Sequence, residues 1–253
     1  MTRSGAGRLL LGLTMLLQGC GGLVQEQDSG TIAAGEGSFQ VRKGRPGIVI
    51  GAPHGTTDKD TDLIATELAS LTGFGLVVAT GFAHVDGDGR RFNVNRPTVS
   101  LAGAPPSTEG QSDEARRVYD AYRRHVAEAA QGPLLFYVEI HGNANAASVG
   151  RVEVATVGLG RDDAWRLKTL FELVRDSQLE DSTVPRLEIW VEALDAVRYT
   201  ASAAKQGGVL GTAPRALHIE LPKAARTTYR EPYTKVLAAF LTESASFLAP
   251  KER

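Results

Sequence analysis

The chain has a single cysteine, Cys20, among its 253 residues. One cysteine excludes an internal disulfide bond and every cysteine-based metal site. Basic and acidic residues are balanced, 28 against 29, so the chain lacks the basic excess typical of nucleic-acid-binding proteins, and we expect no nucleic-acid partner. A glycine-rich phosphate loop is missing, and no G-x-S-x-G elbow supports a serine nucleophile.

The N-terminus carries an apolar run, residues 9–17, preceded by two arginines. It is too short to span a bilayer as a mature helix. The run ends in the letters LQGC, which resemble a bacterial lipoprotein lipobox, although Gln18 is an unusual occupant. We therefore expect a signal peptide over residues 1–20, a lipid on Cys20 that attaches the protein to a membrane, and an extracytoplasmic location. A signal without lipidation or an unprocessed anchor is the alternative.

The residues after Cys20 divide into two parts. Residues 21–44 are rich in Gly, Ser, Gln and charge, which predicts a flexible tether. Residues 45–250 are long enough for one substantial hydrophobic core and are predicted to form a single domain.

Strand-like and helix-like patterns alternate along this domain. The strand-like runs are 48–50, 76–79, 134–140, 152–157, 187–191 and 216–222, and the helix-like stretches are 63–71, 113–130, 165–177 and 233–248. This alternation predicts an α/β fold, a three-layer sandwich with a mixed, largely parallel central sheet and helices on both faces.

A histidine and three aspartates follow the first of these strands. His54 lies in a Pro-His-Gly turn, and Asp58, Asp60 and Asp62 precede or begin the next helix. The carboxyl end of a strand is where α/β proteins bind ligands, and imidazole with carboxylate suits a divalent metal such as zinc. The same aspartates also suit capping and first-turn positions of a helix. The stretch alone leaves both interpretations open.

Polar side chains also end other strands. Glu139 and His141 lie on one face at the end of the strand 134–140, and Glu220 lies near the end of the last strand. An arginine and asparagine cluster occupies residues 90–96. Hydrolysis of an amide at a metal requires ligands with an open position, a carboxylate that moves the proton, and cations for the oxyanion and the substrate carboxylate. Each role has a candidate.

Residues 193–211 show no clear period, which is typical of a loop that faces a substrate. Tyr199 is a candidate to reach the site from this segment, with ordinary packing as the alternative.

Four motifs occur in the order PHGT, RRFNVNR, YVEIHG and HIELP. In this order they resemble the N-formylglutamate amidohydrolase family and, more distantly, zinc carboxypeptidases, aspartoacylases and poly-gamma-glutamate hydrolases. The resemblance covers most of residues 45–248. It implies a phosphorylase/hydrolase-like α/β fold and one zinc ion per chain.

The resemblance implies three zinc ligands, His54, Asp58 and His141. Carboxypeptidase-like relatives place the ligand carboxylate three residues after the histidine, where this chain has Thr57. Asp58 is the nearest carboxylate, with Asp60 and Asp62 as the alternatives.

The resemblance also implies the residues that act on substrate. Asn95 and Arg96 match a pair that holds the substrate carboxylate, and Arg91 or Arg90 matches an arginine that polarises the scissile carbonyl. Glu220 matches the general base, the alternative being a carboxylate paired with Lys223 or Arg226. For His218, a packing or supporting role is expected rather than a fourth ligand.

Together these interpretations predict a zinc-dependent hydrolase that cleaves an amide or peptide bond next to a carboxylate, in an N-acyl amino acid or a gamma-glutamyl or terminal peptide. Its partner would be a small molecule or peptide with a free carboxylate. The alternative is a catalytically inactive lipoprotein binding module on the same fold. N-formylglutamate breakdown is cytoplasmic, so the lipoprotein signal favours the chemistry of the family over its named substrate.

Overall fold

The computed structural model describes residues 37–55, 57–82, 90–101, 108–180 and 183–249. Their strands are β1 (Ser38–Arg42), β2 (Arg45–Ala52), β3 (Phe74–Thr80), β4 (Arg90–Phe92), β5 (Val99–Leu101), β6 (Phe136–Asn143), β7 (Arg151–Val157), β8 (Glu188–Val191) and β9 (Arg215–Pro222). Their helices are α1 (Thr61–Thr72), α2 (Asp113–Ala130), α3 (Arg161–Gln178), α4 (Ser202–Gly207), α5 (Lys223–Arg226) and α6 (Arg230–Leu248). The predicted signal peptide and Cys20 lie outside the described residues.

Seven of these strands form the central sheet, in the order β1-β3-β2-β6-β9-β7-β8, and β4 pairs with β5 in a separate hairpin. Strands β3, β2, β6 and β9 run parallel. Strand β1 is antiparallel to β3, β7 is antiparallel to β9, and β8 is parallel to β7. The central strands are near-continuous apolar runs because both of their faces are covered. The prediction of a mixed, largely parallel sheet is confirmed.

Helices cover the sheet on both faces and complete the three layers. On one face, helices α1, α3, α5 and α6 pack against Ile50, Phe136 and Leu217 of the sheet. Phe171 of α3 stacks on Phe240 of α6, with ring centroids 4.1 Å apart. On the other face, α2 and α4 cover the sheet side chains that alternate with the first set. No helix in the described part of the chain is long and apolar enough to cross a bilayer.

The predicted tether was wrong at its C-terminal end. Residues 38–42 form the edge strand β1, which pairs with β3. Phe39 is buried and packs against Phe82, with ring centroids 4.8 Å apart. Phe39 and Val41 alternate with polar residues, so one face of this strand packs on the core while the other remains polar. The domain therefore includes residues that the composition of residues 21–44 assigned to a tether.

The segment 193–211 also contains more structure than its sequence predicted. Helix α4 forms over Ser202–Gly207, and a short 3-10 helix follows at Val209–Thr212. Ala204, Val209 and Leu210 are buried against the α2 face of the sheet. Small and apolar residues at irregular spacing form this packing, which explains why no single period was visible.

Candidate metal centre

The sheet brings the predicted site residues to one edge. Strands β2, β6 and β9 are adjacent and parallel, so their carboxyl ends lie side by side. His54 follows the end of β2 by two residues, and His141 lies near the end of β6. In the register of β6 and β9, His141 pairs with Glu220. Residues distant in sequence therefore meet because the strands that carry them are neighbours.

His54, Asp58 and His141 form a compact donor set. The Oδ2 atom of Asp58 lies 3.4 Å from Nδ1 of His54 and 3.3 Å from Nδ1 of His141. Donor atoms about 2.0–2.1 Å from a tetrahedral zinc ion lie about 3.3–3.4 Å from one another. The spacing of these donors fits a metal ion, and the set is one of two such groups in the described residues.

The remaining ring nitrogens of both histidines support the same interpretation. Nε2 of His54 lies 3.2 Å from the carbonyl oxygen of Asn93, and Nε2 of His141 lies 3.1 Å from Oε2 of Glu139. An oxygen acceptor at Nε2 favours a proton there, which directs the lone pair of Nδ1 toward Asp58. Metal-binding histidines are held by such contacts on their second nitrogen.

The three aspartates of the opening loop take different positions. Asp60 is the N-cap residue of α1 but makes no side-chain capping hydrogen bond, and Asp62 lies in the first turn. The carboxylate of Asp58 instead faces the two histidines and accepts a hydrogen bond from the N–H of Gly142 at 3.3 Å. Asp58 is the aspartate that the fold places in the donor set.

The carboxylates of Asp58 and Glu139 favour a positive charge beside them. Burial lowers the pKa of His141, but its contacts with Asp58 and Glu139 outweigh burial and raise that pKa to about 10. Burial raises the pKa of each of these carboxyls, yet the histidine hydrogen bonds hold both well below the ordinary range. The pKa of His54 is lowered instead, because burial, with the charges of His141 and Arg91, outweighs the contacts with Asp58. Positive charge among these side chains is therefore strongly stabilised, whether a proton or a metal ion provides it.

The second donor group consists of Glu139, His141 and His218. All three side chains are buried, and Glu139 is completely inaccessible. A catalytic metal keeps an open coordination position. The group around Asp58 has more access to solvent, since the side chains of His54 and Asp58 are 10% and 12% exposed. The first group is therefore better suited to a metal that meets a substrate.

Glu220 is buried beside the donor set and is held at both oxygens. His218 Nε2 lies 3.2 Å from its Oε1, and the side-chain amide of Asn143 donates to its Oε2 at 3.4 Å. The alternative pairing with Arg226 is not observed, because that guanidinium donates to backbone carbonyls. His218 lies between Glu139 and Glu220, as expected for a supporting residue.

Asn95 and Arg96 bond to side chains of the protein itself, although the sequence predicts that they hold a substrate carboxylate. Arg96 Nε donates to Glu109 at 2.9 Å, and a second nitrogen of the same guanidinium bonds the other oxygen of Glu109. Asn95 is 1% exposed, donates to Oε2 of Glu139 at 3.0 Å and accepts from Arg96 at 3.2 Å. The carboxylate that Arg96 holds belongs to the chain itself, so the geometry does not match a substrate-binding role for this pair.

Arg91 is the predicted arginine that faces the donor set. Its guanidinium lies 4.0 Å from Oδ1 of Asp58, and its side chain is 29% exposed. It lines a small cavity with His54 and Thr57. Arg90 lies beside it on β4, and successive side chains of a strand point to opposite faces. The side chain of Arg90 therefore points away from the face on which Arg91 approaches Asp58.

Sequence reasoning missed the role of Glu153. Its carboxylate is buried and accepts hydrogen bonds from Ser148 and from the backbone N–H groups of Arg198 and Tyr199. Burial and the charge of Glu220 raise the pKa of Tyr199. Hydrogen bonds to Glu153 thus hold the loop with Tyr199 against β7, and the phenol of Tyr199 is influenced by the charge of Glu220. The signal was a glutamate within the apolar strand VEVATV.

These features define an α/β protein with a histidine and carboxylate donor set, suited to a metal ion, at the carboxyl edge of its sheet. No protein-family model matches the chain, and no curated protein matches its sequence.

Several solved structures are similar to this chain. A bacteriophage poly-gamma-glutamate hydrolase shows 14% identity and a TM-score of 0.46, covering 83% of this chain and 89% of its own. A Burkholderia cenocepacia metallo-carboxypeptidase shows 12% identity and a TM-score of 0.44, covering 85% and 66%. A Clostridioides difficile amidase, solved with a lipoprotein, shows 14% identity and a TM-score of 0.39, covering 79% and 95%. Likenesses this distant establish no function, and the N-formylglutamate amidohydrolase resemblance stays a prediction.

Proposed function

We propose that this chain is a zinc-dependent hydrolase that cleaves an amide or peptide bond next to a carboxylate. One observation carries the proposal: two histidine nitrogens converge on one aspartate oxygen, at 3.3 and 3.4 Å, beside a buried glutamate. The residues that would hold the ion are His54, Asp58 and His141. Nitrogen and oxygen donors in this number suit zinc and leave one position open. A zinc ion bound there would supply a Lewis acid that polarises a carbonyl and acidifies water.

Glu220 is the proposed general base. His218 and Asn143 each hold one of its oxygens, so the carboxylate has a fixed orientation. It lies opposite His141 on the neighbouring strand, at the edge where the donor set opens. In the proposed reaction, this carboxylate removes a proton from the attacking water and returns it to the leaving nitrogen.

Arg91 is the proposed cation for the substrate. Arg96 already pairs with Glu109 of the protein itself, whereas Arg91 faces the donor set. A guanidinium there can hold a carboxylate through two parallel hydrogen bonds or stabilise the negative charge that develops on the scissile carbonyl. We therefore propose Arg91 for two roles. It is the candidate to polarise the scissile carbonyl, as the sequence predicts, and it replaces Arg96 as the candidate to hold the substrate carboxylate.

The proposed substrates are N-acyl amino acids and gamma-glutamyl or terminal peptides with a free carboxylate. We further propose that a lipid on Cys20 holds the protein at an extracytoplasmic membrane surface, where cell-wall peptides or poly-gamma-glutamate would be accessible. The donor set and Glu220 are both in place, which does not favour an inactive binding module on this fold.

Metal content and hydrolysis test the proposal directly. The purified protein should hold about one zinc ion per chain and hydrolyse a member of a panel of acylated amino acids and gamma-glutamyl peptides, and a chelator should abolish this activity. A His54→Ala/His141→Ala double variant should lose the metal. His125→Ala is the matched control, since His125 lies in α2 against Phe39 and should not affect zinc content. Zinc retained by the double variant would contradict the proposal.

A further inference from the structure

Arg226 is a buried arginine at the end of the short helix α5, directly after β9. It is 5% exposed. Its guanidinium donates to the carbonyl oxygen of Asn143 at 3.1 Å, to that of Leu221 at 3.2 Å, and to that of Lys59. Within the described residues, no carboxylate forms an ion pair with it. The charge is therefore satisfied by backbone carbonyls that come from three separate segments.

Each of these carbonyls lies beside a residue of the proposed site. The three segments are the loop after β2, the end of β6 and the end of β9, and the pairs are Lys59 after Asp58, Asn143 two residues after His141, and Leu221 after Glu220. Hydrogen bonds of the sheet fix β6 and β9 relative to each other. The loop with Asp58 lies outside the sheet, so Arg226 supplies a direct link between this loop and the two strand ends.

Gly142 provides the space for this link. A Cβ atom on Gly142 would lie 2.3 Å from both Cζ and Nε of Arg226, a separation too short for atoms that are not bonded. The N–H of the same glycine donates to Asp58. The glycine of the sequence YVEIHG thus brings the guanidinium and the aspartate against one strand end.

A buried guanidinium has a high desolvation cost unless its donors are satisfied. Lysine would not reproduce the arrangement, because its ammonium is a point charge without the planar, multi-donor geometry of arginine. A buried arginine whose donors reach three site-bearing segments is well suited to setting the spacing between them.

We propose that Arg226 is a positioning residue that sets the geometry of the metal site before the metal binds. The inference rests on the proposed function, since it assumes that His54, Asp58 and His141 hold the ion. Arg226 acts through the backbone on Asp58, His141 and Glu220 and contacts neither metal nor substrate.

Zinc and cobalt binding by the full chain tests this inference. Arg226→Met should weaken zinc binding by about 10- to 100-fold, measured by competition with a chromophoric chelator, as loss of other supporting contacts does. The visible absorption spectrum of the Co²⁺-loaded variant should also change, since it reports ligand geometry. Arg226→Lys keeps the charge but not the planar fork, so it should weaken zinc binding as well.

The matched control is Arg175→Met. Arg175 also donates to a backbone carbonyl, that of Leu187, and pairs with Asp176 on α3. This variant should lose stability while zinc affinity and the Co²⁺ spectrum stay unchanged. Thermal unfolding of the metal-free proteins shows whether each variant folds.

The outcomes separate the two proposals. Wild-type protein that binds no zinc would overturn both the metal centre and the role of Arg226. Wild-type zinc affinity in a folded Arg226→Met variant would overturn the role of Arg226 alone. If Arg226→Met does not fold, Arg226→Lys and Gly142→Ala decide the question, because the added Cβ displaces the guanidinium. Unchanged zinc affinity and Co²⁺ spectra in both would also overturn the inference.

Discussion

Buried ionisable side chains at the carboxyl edge of the sheet hold one another in place. Glu139 is the clearest case, since its Oε2 atom is approached by Asn95 at 3.0 Å, His141 at 3.1 Å and His218 at 3.5 Å. A carboxylate against the second nitrogen of a ligand histidine fixes the orientation and tautomer of its ring. Glu139 thus connects the side chains that would bind the metal to those that hold Glu220, the proposed general base.

Glu220→Gln tests the general base at the scale of one residue. Glutamine has nearly the same shape but cannot remove a proton from water, so we expect kcat to fall by about 10²- to 10⁴-fold. Zinc content should stay at the wild-type level, because Glu220 is not a proposed ligand. Steady-state kinetics and metal analysis on one preparation measure both quantities.

Glu188→Gln is the control for that variant. Glu188 lies on β8, where its side chain is exposed and bonds the indole N–H of Trp190. It should leave kcat unchanged. Full turnover by Glu220→Gln would remove Glu220 from the mechanism.

At the scale of elements, a polar chain joins the β4–β5 hairpin to the centre of the sheet. Glu109 holds Arg96, Arg96 contacts Asn95, and Asn95 donates to Glu139 on β6. The turn after β4 includes Val94 in the left-handed region, with φ 51°. The polar contacts hold this turn over the site and orient Glu139.

The Glu109 and Arg96 pair predicts a pH-dependent stability. Burial raises the pKa of Glu109, but Arg96, Thr98 and Arg91 together lower it by more, so the pKa in the folded protein lies below the ordinary value of 4.5. The pair therefore stabilises the fold above pH 4.5, and its contribution is lost as the pH falls through the folded-state pKa. Glu109→Gln should cost about 1–3 kcal/mol at pH 7 and progressively less in acid.

Urea unfolding at neutral and acidic pH measures this difference. Glu231→Gln is the control, because Glu231 pairs with Lys235 on the solvent face of α6. Exposed pairs of this kind contribute little to stability. An equal cost of Glu109→Gln at both pH values would show that the ion pair is not the source of the effect.

Sequence patterns predicted the elements whose side chains repeat regularly. The buried strands β2, β6 and β9 are runs of apolar residues, and α2 carries a clear apolar stripe, so their positions followed from the letters. Strand β1 was missed because Phe39 and Val41 lie in a stretch of otherwise polar composition. Helix α4 was missed because its buried residues are small and irregularly spaced.

The residues of the site were easier to predict than their contacts. Parallel strands end at one edge, so the amino-acid sequence alone placed His54, His141 and Glu220 together. The partner of Arg96 could not be predicted, because Glu109 lies 13 residues later in the chain and no periodic pattern links the two positions. Nor did any pattern show that Arg226 would donate to carbonyls rather than pair with Glu220.

At the scale of the whole molecule, the N-terminal sequence predicts the cellular location of the domain. The described residues begin with Gly37, close to β1 at one edge of the sheet, whereas the donor set lies on the central strands. A lipid attached at Cys20 would thus be connected through an edge strand, away from the strands that carry the site.

Cys20→Ser tests the proposed lipid anchor. Serine cannot carry a thioether-linked lipid, so the variant should be found free of the membrane, while the wild-type protein remains with it. Fractionation of the producing cells and mass analysis of the N-terminus measure the two proteins. Zinc content is the internal control and should be equal in both. Membrane association unchanged in a variant whose N-terminal signal has been removed, as the mass analysis shows, would contradict the anchor.

The strand order also has a consequence for how the protein matures. The loop after β2 supplies His54 and Asp58, β6 supplies His141, and β9 supplies Glu220. Parallel neighbours need long crossover connections, so these strands are far apart in the chain and pair late during folding. A nascent chain that ends before β6 offers two of the three donors. Metal loading would therefore follow assembly of the sheet, and a tightly bound ion would mark a molecule that has finished folding.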